Sequence, residues 1–211
     1  PCALTVDNLK SIKVNKFFLS VERSKEVLDV NKIAWLVLQF SPETSLDYHI
    51  SDISFSNYEK FIKDISTKFP GYKIVAKEHP SALGLRNLNF YKMLTGLGIE
   101  LISSKISASH LIDKSSLVIT TGGGSTGAEA LIKGKKVVNF GGAYYLASQE
   151  SVLNYSLIEK AENLDKYSVS VPPQTVVSRI LTNTFVGPYN FFNRANSSVT
   201  QDERELIRNI I

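Results

Sequence analysis

A chain of 211 residues with 43% hydrophobic and 21% charged side chains can bury a sizeable core in one large domain, which sets aside disorder. Its net charge of +4 is a mild excess that a solvated, lysine-rich surface explains, and no basic block interleaved with aromatics suggests nucleic acid. The single cysteine, Cys2, excludes a disulfide framework or a cysteine-based metal site within these residues, and no apolar run reaches the roughly 18 residues of a membrane span.

Residues 1–30 show no strong periodicity and are expected to be a linker or the remnant of a preceding domain, with 17–21 a candidate strand and 22–30 a short helix or linker. The only methionine is Met93, so Pro1 is not an initiator, and a processed chain or one cut from something longer is expected. Ile33-Ala34-Trp35-Leu36-Val37-Leu38 reads as a buried strand, and Pro42 forbids its continuation through 39–44. An amphipathic helix over 57–69 follows, with Tyr58, Phe61, Ile62, Ile65 and Phe69 at helical spacing and Pro70-Gly71 as its stop. Residues 72–77 form the next strand, which runs out into Glu78-His79-Pro80-Ser81. A helix over 88–97, a strand over 99–102 and a short helix over 108–114 lead to the stretch around which the chain is organised.

That stretch is 116–142, SLVITTGGGSTGAEALIKGKKVVNFGG. Leu117-Val118-Ile119 is a buried strand, 120–127 a turn of glycine and hydroxyl residues, 128–133 a helix stopped by Gly134, and 137–140 another strand. Such a turn lets an anion approach the backbone at the positive end of the following helix. Beyond it, helices are expected over 148–155, 157–163, 174–184 and 201–211. The pattern predicts an α/β fold, an open, mainly parallel Rossmann-like sheet with helices on both faces over 31–170, and a C-terminal helical extension over 171–211.

Right-handed crossovers put every strand's C-terminal end on one edge, where ligands bind in such sheets. The strand tails, 39–43, 77–80, 103–104, 120–127 and 139–142, are polar or glycine-rich. Gly122, Gly124 and Gly127 satisfy G-x-G-x-x-G, but on the fourth strand and with Asn139 ending the next, which argues against a dinucleotide site. Ala128 and Glu129 after Gly127 reject a P-loop. The helix N-terminus with the Ser125 and Thr126 hydroxyls remains a cradle for phosphate or ribose, and Glu129 either caps backbone donors or accepts from a ribose. His79, fixed by Pro80, can donate to a phosphate oxygen and stabilise a leaving phosphate. Lys77 adds positive charge if it faces the same way, Glu78 reads as a solvated neighbour, and Glu43 is a turn residue or a second carboxylate of the site. His49 and His110 lack partners at metal-ligand spacing and read as structural or surface residues, and no metal site is expected.

Four segments resemble the bacterial capsular polysaccharide biosynthesis proteins, GT-B-type glycosyltransferases related to the capsule Kdo transferases. They are Leu38-Gln39-Phe40-Ser41-Pro42-Glu43, Val75-Ala76-Lys77-Glu78-His79-Pro80, the run from Gly124 through Ser125-Thr126-Gly127-Ala128-Glu129 to Val137, and Phe140-Gly141-Gly142-Ala143-Tyr144-Tyr145. The likeness covers 33–146 and implies a donor-binding half that takes a nucleotide-activated sugar, a CMP-sugar such as CMP-Kdo foremost. It implies His79 with Pro80, and Ser125 with Thr126, as holders of the donor nucleotide and phosphate, with Gly124, Gly127 and Glu129 in the same element. Lys77 is set with these donor-binding residues, and the expected base is Glu43 or a residue of the absent acceptor domain, which supplies it in similar enzymes. No cofactor is expected beyond the donor as substrate. The acceptor is expected to be a saccharide or a lipid-linked saccharide, in a cytoplasmic protein peripheral to the inner membrane or within a capsule complex. A GT-B enzyme has two such domains, so an acceptor domain is expected to lie N-terminal to this chain. The rival readings are a non-catalytic nucleotide-sugar-binding scaffold and a polyol-phosphate transferase using a CDP-activated donor.

Overall fold

The computed structural model describes residues 14–38, 58–79, 82–120, 125–140 and 152–154, with positions 174, 175 and 178 in helical conformation. In chain order the elements are α1 (Val21–Leu28), β1 (Ile33–Val37), α2 (Tyr58–Lys68), β2 (Lys73–Lys77), α3 (Leu88–Gly96), β3 (Glu100–Ile102), α4 (Ala108–Lys114), β4 (Leu117–Thr120), α5 (Ser125–Ile132), β5 (Lys136–Asn139) and β6 (Val152–Asn154). The six strands form one sheet in the order β3-β2-β1-β4-β5-β6, and every pairing is parallel. This is the α/β Rossmann-like sheet expected from the alternation of apolar runs and amphipathic helices.

Strand alternation divides the apolar residues between two cores. Ala34, Leu36, Ile74, Ala76, Leu101, Leu117, Ile119 and Val138 face α2 and α3, whose Phe61, Ile62, Ile65, Tyr91 and Leu94 are buried against them. Ile33, Trp35, Val75, Ile102, Val118 and Val137 face α1, α4 and α5, met by Val27, Leu28, Leu111, Ile112, Ala128 and Leu131. Burial on both faces is why these strands read as continuous apolar runs. Among the described residues, Trp35 Nε1 is the one buried side-chain nitrogen or oxygen without a hydrogen-bond partner.

Residues 17–21 are not a strand. The Ser20 hydroxyl accepts the Arg23 amide at 3.1 Å and caps α1, so an N-cap overrides the β-propensity of Phe17-Phe18-Leu19. Leu19 keeps one sheet-like bond, from its amide to the Leu101 carbonyl at 2.9 Å. Residues 14–28, within the segment expected to be a linker, pack into both cores through Val14, Val27 and Leu28. The wholly buried Ser24 hydroxyl ties α1 to the sheet, accepting from the Ser103 amide at 3.0 Å and donating to the Ser20 carbonyl at 2.7 Å. The helix expected over 148–155 is also corrected. Residues Val152–Asn154 pair with β5 through Val137–Val152, Val138–Leu153 and Asn139–Asn154, completing the hydrogen bonding of β5 on its outer side. The other elements expected beyond residue 155, apart from the helical positions named above, lie outside the described residues.

Candidate functional site at the strand C-terminal edge

The chain enters the sheet at β1, moves outward through β2 and β3, then crosses back to β4 and runs the other way through β5 and β6. The reversal falls between β1 and β4, and the C-terminal ends of strands at such a reversal are where open α/β sheets bind ligands. Register aligns the strand ends in a row. Ile102 pairs with Lys77, Lys77 with Val37, Thr120 with Asn139 and Asn139 with Asn154. Val37 and Thr120 each stand one residue beyond the Leu36–Ile119 pair.

Alternation then sorts this row by face. Lys77 shares the face of Val75, Thr120 that of Val118 and Asn139 that of Val137, all three on the side covered by α5. Lys77 therefore lies on the α5 face, flanked by its register partners Val37 and Ile102. Burial there holds its ammonium below the usual lysine range, because losing water penalises the charged form. Thr120 and Asn139 are buried polar side chains at 2% and 3% exposure. The sequence reading placed both in strand tails without assigning them a role, although a polar residue closing an apolar strand was the signal for them.

The helix after β4 begins earlier than expected. α5 starts at Ser125, so Ser125, Thr126 and Gly127 are its first turn instead of the loop before it. Their amides belong to the group that no intrahelical carbonyl satisfies, and they carry the positive end of the helix dipole. Ser125 and Thr126 are half-buried, Gly127 is buried, and Glu129 is exposed in the second turn. From there Glu129 cannot cap the helix N-terminus, and its backbone carbonyl accepts from the Lys133 amide at 3.1 Å. α5 ends in a Schellman arrangement, with the Gly134 amide on the Leu131 carbonyl and the Lys135 amide on the Ala130 carbonyl, both at 2.9 Å. Gly134 takes φ 69°, the left-handed conformation that favours glycine there.

The turn after β2 carries His79, which is exposed. It is held from beneath by Glu78, and here the structure corrects the expectation of a solvated residue. Glu78 is wholly buried on the α3 side of the sheet. Its Oε2 accepts from Arg86 Nε at 2.5 Å and from the Tyr91 hydroxyl at 3.0 Å. Its Oε1 accepts from Arg86 Nη2 at 3.4 Å and from the His79 amide at 3.2 Å. Phe90 lies 4.9 Å from the Arg86 guanidinium and covers it. The Ala82 amide donates to the His79 carbonyl at 2.9 Å, closing the turn. Burial, and then the negative charge of Glu78, push the Tyr91 phenol far above its ordinary value.

The expected residues thus divide into three groups. His79, Lys77, Ser125, Thr126 and Gly127 belong to the C-terminal ends of β2 and β4 and to the segments that follow them, within one edge of the sheet. β2 and β4 stand two strand spacings apart, roughly 10 Å. Glu129 is on the same helix but a turn further along. Glu43, Pro80 and Gly124 lie outside the described residues. His110 is half-buried in the first turn of α4, away from this edge, its amide capped by Ser107 at 3.2 Å.

A model of the family described as "Capsule polysaccharide biosynthesis protein" matches residues 18–151. Among solved structures, the chain is similar to Thermosulfurimonas dismutans KpsC, a beta Kdo 2,4 transferase, at 13% identity and a TM-score of 0.41. That likeness covers 82% of this chain and 59% of the other, so the chain spans less than two thirds of the length of that structure. No curated protein matches. The family match runs from the cap of α1 through β1 to β5, taking in the His79 turn and the N-terminus of α5. With more than half of its residues covered in this way, the chain belongs to the capsule polysaccharide biosynthesis protein family.

Proposed function

We propose that this chain is the donor-binding part of a glycosyltransferase of capsular or surface polysaccharide biosynthesis. Its donor is a nucleotide-activated sugar, a CMP-sugar such as CMP-Kdo foremost. The observation that supports the reading is that a helix N-terminus bearing two hydroxyls, after β4, and a histidine-bearing turn, after β2, stand on the same C-terminal edge of the sheet with β1 between their strands. Family membership supports the pathway. The amides at Ser125–Gly127, in the first turn of α5, suit a phosphate. The half-buried ammonium of Lys77 and the polar side chains of Thr120 and Asn139 on the same face of the sheet suit the charge and hydroxyls of a nucleotide.

In the transfer, an acceptor hydroxyl forms a bond to the anomeric carbon while the bond from that carbon to the phosphate oxygen breaks. His79 donates to that oxygen and stabilises the departing CMP, and Glu43 or a residue of the acceptor domain takes the proton of the acceptor hydroxyl. No cofactor or metal enters this scheme. The acceptor is a saccharide or lipid-linked saccharide, brought by a second domain of the GT-B type, at the cytoplasmic face of the membrane.

A thermal-shift panel with CMP, CDP, UDP and NAD at millimolar concentration, checked by calorimetry, tests the reading. A ligand at about 100 times its Kd adds roughly 2.7 kcal/mol of stability. A CMP-selective shift lost in His79→Ala is the expected result. Preference for CDP-glycerol over CMP-sugars points instead to polyol-phosphate transfer. Binding without transfer in the full-length protein points to a scaffold.

A further inference from the structure

Three side chains that the proposed chemistry does not use converge beneath the residue it relies on most. Glu78 is fully buried, and Arg86 has an 8% exposed side chain. Tyr91 is fully buried as well. Burying a carboxylate costs several kcal/mol of lost hydration unless its oxygens are paired and hydrogen-bonded. Both Glu78 oxygens are. Arg86 reaches them from the segment between β2 and α3, and Tyr91 reaches Oε2 from within α3. What remains to Oε1 is spent on the His79 amide.

We propose that Glu78, Arg86 and Tyr91 are positioning residues that brace the His79 turn against α3, so that the imidazole meets the donor phosphate in one preset orientation. This rests on the donor-binding reading above and adds a residue set to it. The chemistry favours a brace over a second anion site. The Arg86 guanidinium is committed to Glu78 at 2.5 Å and covered by Phe90, so its charge holds the carboxylate. Phe17 and Phe18 pack against the Tyr91 ring, with centroids at 6.1 and 5.4 Å, and hold the phenol in its rotamer. Rigid support of this kind is what a phosphate-contacting side chain needs, because a small displacement of a donor from its acceptor forfeits most of the interaction.

The test pairs two readouts on the full-length protein and on Tyr91→Phe, which removes a single hydroxyl from the network. Glu78→Gln strands a buried guanidinium and can unfold the chain, so Tyr91→Phe decides the outcome if Glu78→Gln does not fold. The first readout is amide hydrogen exchange at His79, followed by NMR without ligand. It is expected to speed up by roughly tenfold, the scale of one hydrogen bond to a charged group. The second is the Kd for CMP in a double-mutant cycle with His79→Ala. Tyr91→Phe is expected to weaken CMP roughly tenfold in the native background and to cost nothing further once His79 is gone. Unchanged exchange at His79 overturns the brace. Faster exchange with an unchanged Kd, in a protein whose CMP binding depends on His79, overturns the positioning role. Absence of CMP binding in the native protein defeats the donor reading, and the exchange at His79 then decides the brace by itself.

Discussion

Glu78 and Arg86 form an ion pair almost sealed from water, where removing one partner costs more than the pair itself contributes. Arg86→Met alone is expected to destabilise the protein by about 3–5 kcal/mol in urea unfolding, and the double variant Glu78→Gln/Arg86→Met to recover much of that loss. Tyr91 gives a pH signature of its own. Its phenol is raised in the folded state by burial and by Glu78, so the unfolded chain ionises first. Stability from this group is fully present below the unfolded value near 10 and falls as pH rises beyond it, by at most about 1.4 kcal/mol per pH unit. Urea midpoints between pH 9 and 11 are expected to fall less steeply in Tyr91→Phe than in the native protein. At this scale the sequence was legible where chemistry follows from position along the chain. The places of His79, in the turn after β2, and of Ser125-Thr126, between β4 and the body of α5, are two cases, while the roles expected of them belong to the proposal. The role of Glu78 was hidden because its partners stand 8 and 13 residues further along the chain, and only the packing of α3 on the sheet brings them to it.

The elements carry their own tests. α1 is tied to the end of β3 through the Ser24 hydroxyl, which accepts the Ser103 amide. Ser24→Ala leaves that amide without its acceptor and is expected to cost about 1–3 kcal/mol by urea unfolding. A near-neutral effect would mean that α1 is loosely attached. At the C-terminal end of α5, away from the candidate site, Gly134 takes the left-handed conformation, and a Cβ built there meets nothing within 4 Å. Gly134→Ala therefore isolates backbone strain, with an expected loss of about 1–2 kcal/mol and no change in nucleotide affinity. Lys133 links α5 to α4 through Asp113 at 2.7 Å and Ser109 at 2.7 Å. The Lys133 ammonium lowers the Asp113 carboxyl below its ordinary value, but both groups face solvent, so this pairing is expected to fade at high salt. Strands buried on both faces announced themselves as apolar runs, and the helices by their spacing and stops. Residues 17–21 and 152–154 did not. The first looks like a strand until Ser20 caps the following helix, and the second takes its conformation from β5 beside it.

At the scale of the molecule, the parallel sheet gathers every strand's C-terminal end on one edge, and the chain reverses direction across the sheet between β1 and β4, where such sheets bind ligands. The alternation of strands and helices made the open parallel sheet legible. It did not reveal the strand order, which depends on which apolar runs find each other in space. No described helix is long and apolar enough to cross a membrane. The family accounts for a place in capsule polysaccharide biosynthesis, and the proposed donor site makes a claim about location that can be read residue by residue. The measurement that tests it most directly is chemical-shift mapping of CMP on the 15N-labelled protein. The account predicts that the perturbed amides cluster at Lys77 and His79, at Thr120, at Ser125 to Gly127 and at Asn139, the C-terminal ends of β2, β4 and β5. Shifts centred instead on Lys73, Ser116 and Lys136, at the opposite ends of the same strands, would contradict it, as would a spectrum that CMP leaves unchanged.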